Sequence, residues 1–248
     1  SGGRRRNAGL IESEDARSHT ALSISACGRV LPPWPLFCVS KDSIRLSRSS
    51  ESMSAAGIAA PDMLDEGGDV RLQAVGSVLA AWTCVLPGRG LGSTGLVLGL
   101  RTYALAEASS MDTTVLLSGV TDRLARGGTQ NEQPPVTSQP TWRALTPPRS
   151  GWEPVGVVAD AKLLAAARAG IAEVAEGAPE GSGASAVADL RSRVWGRPTS
   201  TIPPVPAGTA FGLHALGFLR PDADARAQIH TVGPWTRVAT DRGFVLAR

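Results

Sequence analysis

The glycine-rich stretch Gly90-x-Gly92-x-x-Gly95 is the part of this sequence that comes nearest to a nucleotide-binding motif. In that motif the glycines let the backbone approach a pyrophosphate, and the N-terminus of a following helix binds its charge. Asp122 is the candidate for the ribose-binding acid, but it lies later than the motif requires. An ordinary loop is the preferred interpretation. A cofactor site on Gly90, Gly92 and Gly95 is the alternative, with the cofactor unknown.

The histidines that follow the first hundred residues indicate no catalytic or metal centre. His214 lies between Phe211 and Phe218, on the apolar face of a predicted helix, where a hydrogen-bonded core histidine is the simpler interpretation. His230 falls in a predicted strand, and no Cys, His, Asp or Glu has the spacing to complete a metal site with it. No Gly-x-Ser-x-Gly elbow is present. The sequence therefore predicts neither catalytic residues nor metal ligands, and an enzyme is disfavoured without being excluded.

Tryptophan and arginine in predicted loops and strand ends suggest a binding surface instead. Trp142, Arg149 and Trp152 flank a Pro-Pro pair, and Trp235 begins a predicted strand. Tryptophan and arginine are enriched among the residues that dominate binding energy at interfaces. We therefore predict a ligand or partner surface on these four residues. The alternative is that the tryptophans anchor loops to the core.

Charge and cysteine content restrict the class of protein. The net charge is +3, and this excess lies within residues 1–52, because the rest of the chain carries equal numbers of basic and acidic groups. Nucleic-acid binding is unlikely for a body without a net basic charge. Three cysteines cannot form a full set of disulfides, which favours the cytoplasm. No apolar run is long enough for a membrane helix.

The N-terminal half of the body is predicted to be helical. Leu72, Val75, Leu79, Trp82 and Leu86 recur at spacings of three and four, which predicts a helix from Asp69 to Leu86. A second helix is predicted over 96–108. Residues 112–124 are predicted to form a third, with a buried strand over 113–120 as the alternative. The character of residues 78–86 separates the two function hypotheses, since a strand there supports the cofactor site and a helix supports a binding module.

The C-terminal half is predicted to combine helices with a β-meander. Asp160 and Gly177 bound the strongest helical pattern, and shorter helices follow from Ser185 and near 207–219. The segments 229–232, 235–240 and 243–246 alternate and are separated by turn residues, which predicts three antiparallel strands.

These elements predict an α+β fold with a mostly helical body and a C-terminal three-strand antiparallel meander. Residues 1–52 are predicted to be an unstructured extension. Residues 53–126 form the helical N-terminal subdomain of this prediction, 127–139 a polar linker, and 140–248 a C-terminal domain.

Three segments carry a resemblance to a known group of sequences: residues 147–154 (PPRSGWEP), 193–197 (RVWGR) and 243–248 (GFVLAR). With them, roughly the last hundred residues resemble uncharacterised hypothetical proteins of GC-rich actinobacteria. This resemblance implies a folded domain and brings no activity. The sequence thus predicts a non-catalytic binding or interaction module in the cytoplasm, with a protein partner or a homo-oligomer. A nucleotide-cofactor enzyme is the alternative.

Overall fold

A computed structural model describes residues 24–25, 68–120, 140–178, 181–220 and 224–248. Within these residues the strands are β1 (Ile24–Ser25), β2 (Asp69–Leu86), β3 (Val97–Leu116), β4 (Glu153–Ala159), β5 (Arg226–Val232), β6 (Trp235–Ala239) and β7 (Phe244–Ala247). They form one seven-stranded antiparallel sheet. β2 pairs with one edge of β3, and β1 and β7 pair with its other edge, from which the order continues as β7-β6-β5-β4. The helices are α1 (Asp160–Gly177), α2 (Ala184–Gly196), α3 (Ala207–Ala215) and the 3-10 helix Thr141–Ala144.

The predicted α+β fold with a mostly helical body is wrong, because the described N-terminal half is a long hairpin of β2 and β3. A break in strand alternation explains the error for β2. Its buried side chains follow even positions up to Ala74 and odd positions from Leu79, with a β-bulge between Gly76 and Val78. The bulge changes the parity of the strand, and the resulting apolar spacing imitates a helical period.

A different cause explains the error for β3, which was predicted to be helical over 96–108. At its start, Val97 packs towards the helices and Leu98 packs on the opposite face of the sheet. A strand that is buried on both faces reads as a continuous apolar run, which a helix also produces. Of the two interpretations of 113–120, the strand is correct up to Leu116 and the helix is correct for residues 117–120.

The β2–β3 hairpin is sharply bent. Gly76 has φ +61° beside the bulge, a backbone conformation that glycine adopts without strain. The indole N–H of Trp82 donates a hydrogen bond of 3.1 Å to the side-chain oxygen of Gln73. Residues nine apart would be about 30 Å apart along a straight strand. The bend therefore returns the first part of β2 to the body of the sheet.

The helices cover one face of the sheet. Leu163 and Ala167 of α1 and Leu213 of α3 belong to a buried cluster with Val238 and Val245 of the sheet. The rings of Trp195 and Phe211 stack at 4.5 Å and join α2 to α3. The predicted helix from Asp160 to Gly177 is confirmed.

The three predicted C-terminal strands are present as β5, β6 and β7, but they belong to the larger sheet and do not form a separate meander. Two pairings were not predicted. β4 adds to the outer edge of β5, and β7 pairs with β3, so that both predicted halves of the body share one sheet. The linker 127–139 and Asp122 lie outside the described residues. Residues 1–52 also lie outside them, apart from β1. Those boundaries remain predictions.

Candidate functional site

The face of the sheet that points away from the helices carries most of the tryptophans of the body, and we call it the tryptophan face. Alternation along β3, β6 and β7 places these side chains opposite the helices. Its buried members are Leu96, Leu98, Trp235, Ala239, Phe244 and Leu246, and partly buried Trp82, Trp142 and Trp152 pack against them.

The 3-10 helix and the stretch that joins it to β4, residues 141–152, cover part of this face. Trp142 and Leu145 pack onto the buried cluster, and Pro147 is itself buried. The indole N–H of Trp152 donates to the carbonyl oxygen of Pro148 at 2.9 Å, which closes the segment on itself. The Trp-Pro stretch thus forms a lid of irregular backbone over a sheet that would otherwise expose apolar side chains.

A paired cation lies at one end of the tryptophan face. The guanidinium of Arg71 donates to both carboxylate oxygens of Asp112, at 2.8 and 2.6 Å, and Gln73 donates to the same carboxylate at 3.0 Å. The hydrogen bond from Arg71 holds the pKa of Asp112 below its usual range, and the same contact raises the pKa of Arg71. Arg143 approaches Asp112 at 3.7 Å, which ties the lid segment to this end.

A second arginine lies at the other end, on β6, and no described residue forms an ion pair with it. Arg237 of β6 is only 6% exposed, and its guanidinium lies 4.5 Å from the centre of the Trp152 ring. Its Nε is buried without a hydrogen-bond partner, and so is Nδ1 of His230, the residue directly opposite it on β5. Burial lowers the pKa of Arg237 to about 10. Burial first, and then the neighbouring Arg237, lower the pKa of His230.

The structure brings together three of the four residues that were predicted to form a surface. Trp142, Trp152 and Trp235 belong to one cluster. Trp235 is 4% exposed and therefore packs as core, whereas Trp142 and Trp152 are half-buried. Arg149 is exposed on the lid segment. Whether these residues bind a ligand or partner remains a prediction.

Sequence reasoning missed Arg237. The signal was available, because Arg237 follows Trp235 by two positions in a predicted strand and so shares its face. The same alternation across a hairpin pairs His230 with Arg237. An arginine on the tryptophan side of a strand is unusual enough to mark a site.

The glycine-rich stretch forms the turn between β2 and β3. Arg89 and Thr94 exchange backbone hydrogen bonds of 3.0 and 3.1 Å, and Gly90 and Gly95 adopt positive φ. Residues 78–86 form a strand, which is the character that was expected to support a cofactor site. The element that follows is also a strand, however, so no helix N-terminus is present to bind a pyrophosphate.

The remaining titratable groups do not converge. His214 is half-buried in α3, where burial and then Arg168 lower its pKa. Burial raises the pKa of Cys84 to about 12, which keeps its thiol protonated near neutral pH. Across the described ranges, no group of three or more His, Cys, Asp or Glu could hold a metal ion.

One acid is buried on the helix side of the molecule. Asp160 accepts a hydrogen bond of 2.9 Å from the backbone N–H of Arg220, and its other carboxylate oxygen is buried without a partner. Burial is the main cause that raises its pKa, and Asp241 adds to the shift. Asp160 therefore joins the start of α1 to the segment after α3.

The outer edge of β4 exposes apolar side chains. Val155 and Val157 are about half exposed, and β4 pairs only with β5 among the strands of the described residues. A Cβ at Gly156 would lie 2.9 Å from the ring of Pro203, so the loop that carries exposed Ile202 packs against this strand. The edge therefore presents unpaired backbone groups beside an apolar patch.

Comparison with known structures gives distant similarities. The DNA polymerase III subunit beta from Pseudomonas aeruginosa has 12% identity and a TM-score of 0.43, with 75% of this chain and 58% of that chain covered. A DnaN sliding clamp (DNA polymerase III subunit beta) from the same organism, bound to griselimycin, has 13% identity and a TM-score of 0.40, with 79% and 60% covered. The chain spans about three fifths of the length of these structures.

Sequence comparisons reach no protein of established activity. No curated protein matches the chain. Among the described residues, no helix is long and apolar enough to cross a membrane. Residues 59–144 match the family model of a domain of unknown function, DUF8010, and residues 147–248 match that of a second domain of unknown function, DUF8185.

Proposed function

We propose that this chain is an interaction module that acts by binding, and that its partner at the outer edge of β4 is a second copy of the chain. The observation that carries the proposal is the pair of half-exposed valines on this edge strand, Val155 and Val157. An exposed apolar edge strand is a template for the addition of another strand.

The charge of β4 supports self-association. Edge strands are commonly protected against pairing by charges, by proline or by bulges. In β4 these features lie near its start, at Glu153, Pro154 and the bulge that ends at Gly156, and residues 157–159 carry none of them. Two copies related by a two-fold axis would pair their β4 strands antiparallel and bring the valines of one strand onto those of the other. Apolar side chains from both copies would then leave water, and the sheet would continue across the interface.

The self-association experiment measures sedimentation velocity over a range of protein concentrations. We expect the unaltered chain to form a dimer as concentration rises, and we expect Val157→Lys to remain a monomer because it places like charges opposite each other. Val75→Lys is the matched control, since Val75 and Val157 are both 51% exposed and Val75 lies on the distant β2–β3 hairpin. The control should associate as the unaltered chain does.

Two results would contradict the proposal. One is a monomer at every concentration for the unaltered chain. The other is a dimer that Val157→Lys leaves intact while both variants stay folded, because the interface would then lie elsewhere. Surface substitutions of this kind change the free energy of unfolding by no more than about 0.5 kcal/mol, so a folding defect should not obscure the comparison.

Cellular location and source complete the proposal. The unpaired thiol of Cys84 supports a reducing compartment such as the cytoplasm. The predominance of arginine over lysine, with abundant alanine and glycine, supports a GC-rich source such as an actinobacterium. Fractionation of the native host, followed by detection of the chain in the cytoplasmic fraction or outside it, tests the location.

A further inference from the structure

Arg237 carries a positive charge for which the described part of the chain supplies no acid. The residue is 6% exposed, its Nε is buried without a hydrogen-bond partner, and it takes part in no ion pair there. A buried ion without a counter-charge costs free energy, and buried charges are ordinarily paired or bound to a ligand. Arg71, another arginine of the tryptophan face, follows that rule through Asp112.

An indole ring and an imidazole lie next to Arg237. The Trp152 ring covers one side of the guanidinium at 4.5 Å. His230 is its direct cross-strand neighbour, and such neighbours have Cβ atoms about 4.5–5.5 Å apart. The Nε of Arg237 and the Nδ1 of His230 are both buried and both lack a partner.

We infer that Arg237 and His230 form a binding site for a carboxylate group, with Trp152 as one wall. One carboxylate oxygen accepts the N–H of Arg237 Nε, and the other accepts an N–H from His230 Nδ1. The negative charge neutralises the guanidinium. No other residue of the described chain is required for these two hydrogen bonds.

A water molecule would satisfy only part of this arrangement. Buried water commonly bridges unpaired polar atoms, but it brings no charge. A carboxylate supplies both acceptors and the missing negative charge, and charge-assisted hydrogen bonds are roughly twice as strong as neutral ones. A planar carboxylate also suits a site with a flat indole wall, whereas a tetrahedral phosphate needs donors on several sides.

The carboxylate has two possible sources, a small organic acid or an acidic side chain of another polypeptide. The site does not depend on the proposed β4 interface, because Arg237 lies on β6, two strands in from that edge. Failure of one proposal therefore leaves the other open to its own test.

The experiment is a titration of the full chain, labelled with ¹⁵N, with sodium acetate. The signals followed are Arg237 Nε–H and Trp152 Nε1–H, and sodium chloride at equal ionic strength is the reference. Arg237→Met retains a long apolar side chain and removes the charge. Arg226→Met is the matched control, since Arg226 is an exposed arginine on the adjacent strand β5.

We expect saturable shifts of both signals with acetate and not with chloride. Arg237→Met should weaken acetate binding, followed at Trp152, by about tenfold or more, while Arg226→Met should leave it unchanged. His230→Asn keeps a donor near the position of Nδ1 and should retain most of the affinity, whereas His230→Leu should lose it. If Arg237→Met does not fold, the histidine pair decides the question.

A second arm distinguishes the sources. A blocked peptide with one glutamate is compared with acetate and with the same peptide carrying glutamine. Tighter binding by the glutamate peptide than by acetate identifies a polypeptide source, and equal binding identifies a small acid. The inference is overturned if acetate gives no saturable shift, if chloride gives the same shift, if phosphate binds more tightly than acetate, or if Arg237→Met binds as the unaltered chain does.

Discussion

The two ends of the tryptophan face hold their arginines in different ways. Arg71 has a carboxylate in bidentate contact and a glutamine beside it, whereas Arg237 has an indole ring and a histidine whose pKa is lowered by burial and by Arg237 itself. Arg71 is therefore the reference within the same chain for an arginine on this face whose charge is neutralised. The difference is that Asp112 neutralises Arg71, whereas no described residue supplies an acid to Arg237.

The buried cluster of the tryptophan face, which lies between both arginines, should give the largest effect on stability. Trp235→Ala removes a buried side chain from the cluster under the lid, and we expect a loss of about 3–5 kcal/mol in the free energy of unfolding. Urea denaturation measures it. Half-buried Trp142 provides the comparison, and an equal loss for Trp142→Ala would mean that the lid carries as much of the packing as the buried cluster does.

The Arg71–Asp112 ion pair should give the next largest effect on stability. Asp112→Asn leaves Arg71 without its counter-charge, and we expect a loss of about 1–2 kcal/mol near neutral pH after allowance for exposure of the carboxylate. Because the folded pKa of Asp112 is lowered, this stabilisation is present above the ordinary value of 3.8 and is lost as pH falls through the folded pKa.

Unfolding at a series of pH values measures that loss. The control is Asp189→Asn, whose ion pair with Arg89 is exposed on both sides and should contribute less than about 0.5 kcal/mol. An Asp112→Asn variant as stable as the control would show that the bidentate contact is worth no more than a surface ion pair, and the contrast between the two ends would lose its basis.

Removal of the charge of Arg237 should change the free energy of unfolding in the opposite direction. Arg237→Met removes a buried charge and keeps contact with the Trp152 ring, so we expect the free energy of unfolding to stay constant or to rise by up to about 1 kcal/mol. Thermal and urea unfolding without carboxylate in the buffer measure it. A loss above about 1 kcal/mol in the free energy of unfolding would mean that Arg237 stabilises the fold through its stacking on Trp152. Its role would then match that of Arg71, which stabilises the fold through Asp112.

Asp160 extends the comparison to a buried acid whose pKa is raised mainly by burial. Asp160→Asn keeps an acceptor for the backbone N–H of Arg220, so we expect a change below about 1 kcal/mol near neutral pH. The folded pKa is raised, so the contribution of Asp160 is full below 3.8 and is lost as pH rises through the folded value. A pH profile of unfolding that Asp160→Asn leaves unchanged would contradict this sign.

The sequence predicted the C-terminal elements and failed on the N-terminal ones for a physical reason. Helix α1 has an uninterrupted stripe with Leu163 and Ala167 at a spacing of four, and the last three strands have clear turns between them. β2 and β3 instead combine a bulge at Gly76 with burial on both faces, and each feature removes the alternation that identifies a strand.

The candidate site could be anticipated only in part. Trp142, Trp152 and Trp235 were recognised by residue type, and the fold places them in one cluster. Anchoring to the core was the predicted alternative, but their common cluster could not be foreseen, since it depends on pairing between β3 and β7 over nearly 150 residues. Arg237 could have been found from alternation with Trp235. That no described acid pairs with it is a property of the tertiary structure, which no local pattern reports.

The pairing of β3 with β7 has a consequence for the order of folding. Leu98 faces Leu246, and β7 lies between β3 and β6 in the interior of the sheet. The β2–β3 hairpin can form early from local contacts, but its open edge stays unpaired until residues 244–247 have emerged from the ribosome. Strand pairing at such long sequence separation is slow, and an apolar edge is prone to aggregation until it is paired. Chaperone dependence during synthesis, relieved when β7 is supplied in trans as a peptide, is the behaviour that this topology predicts.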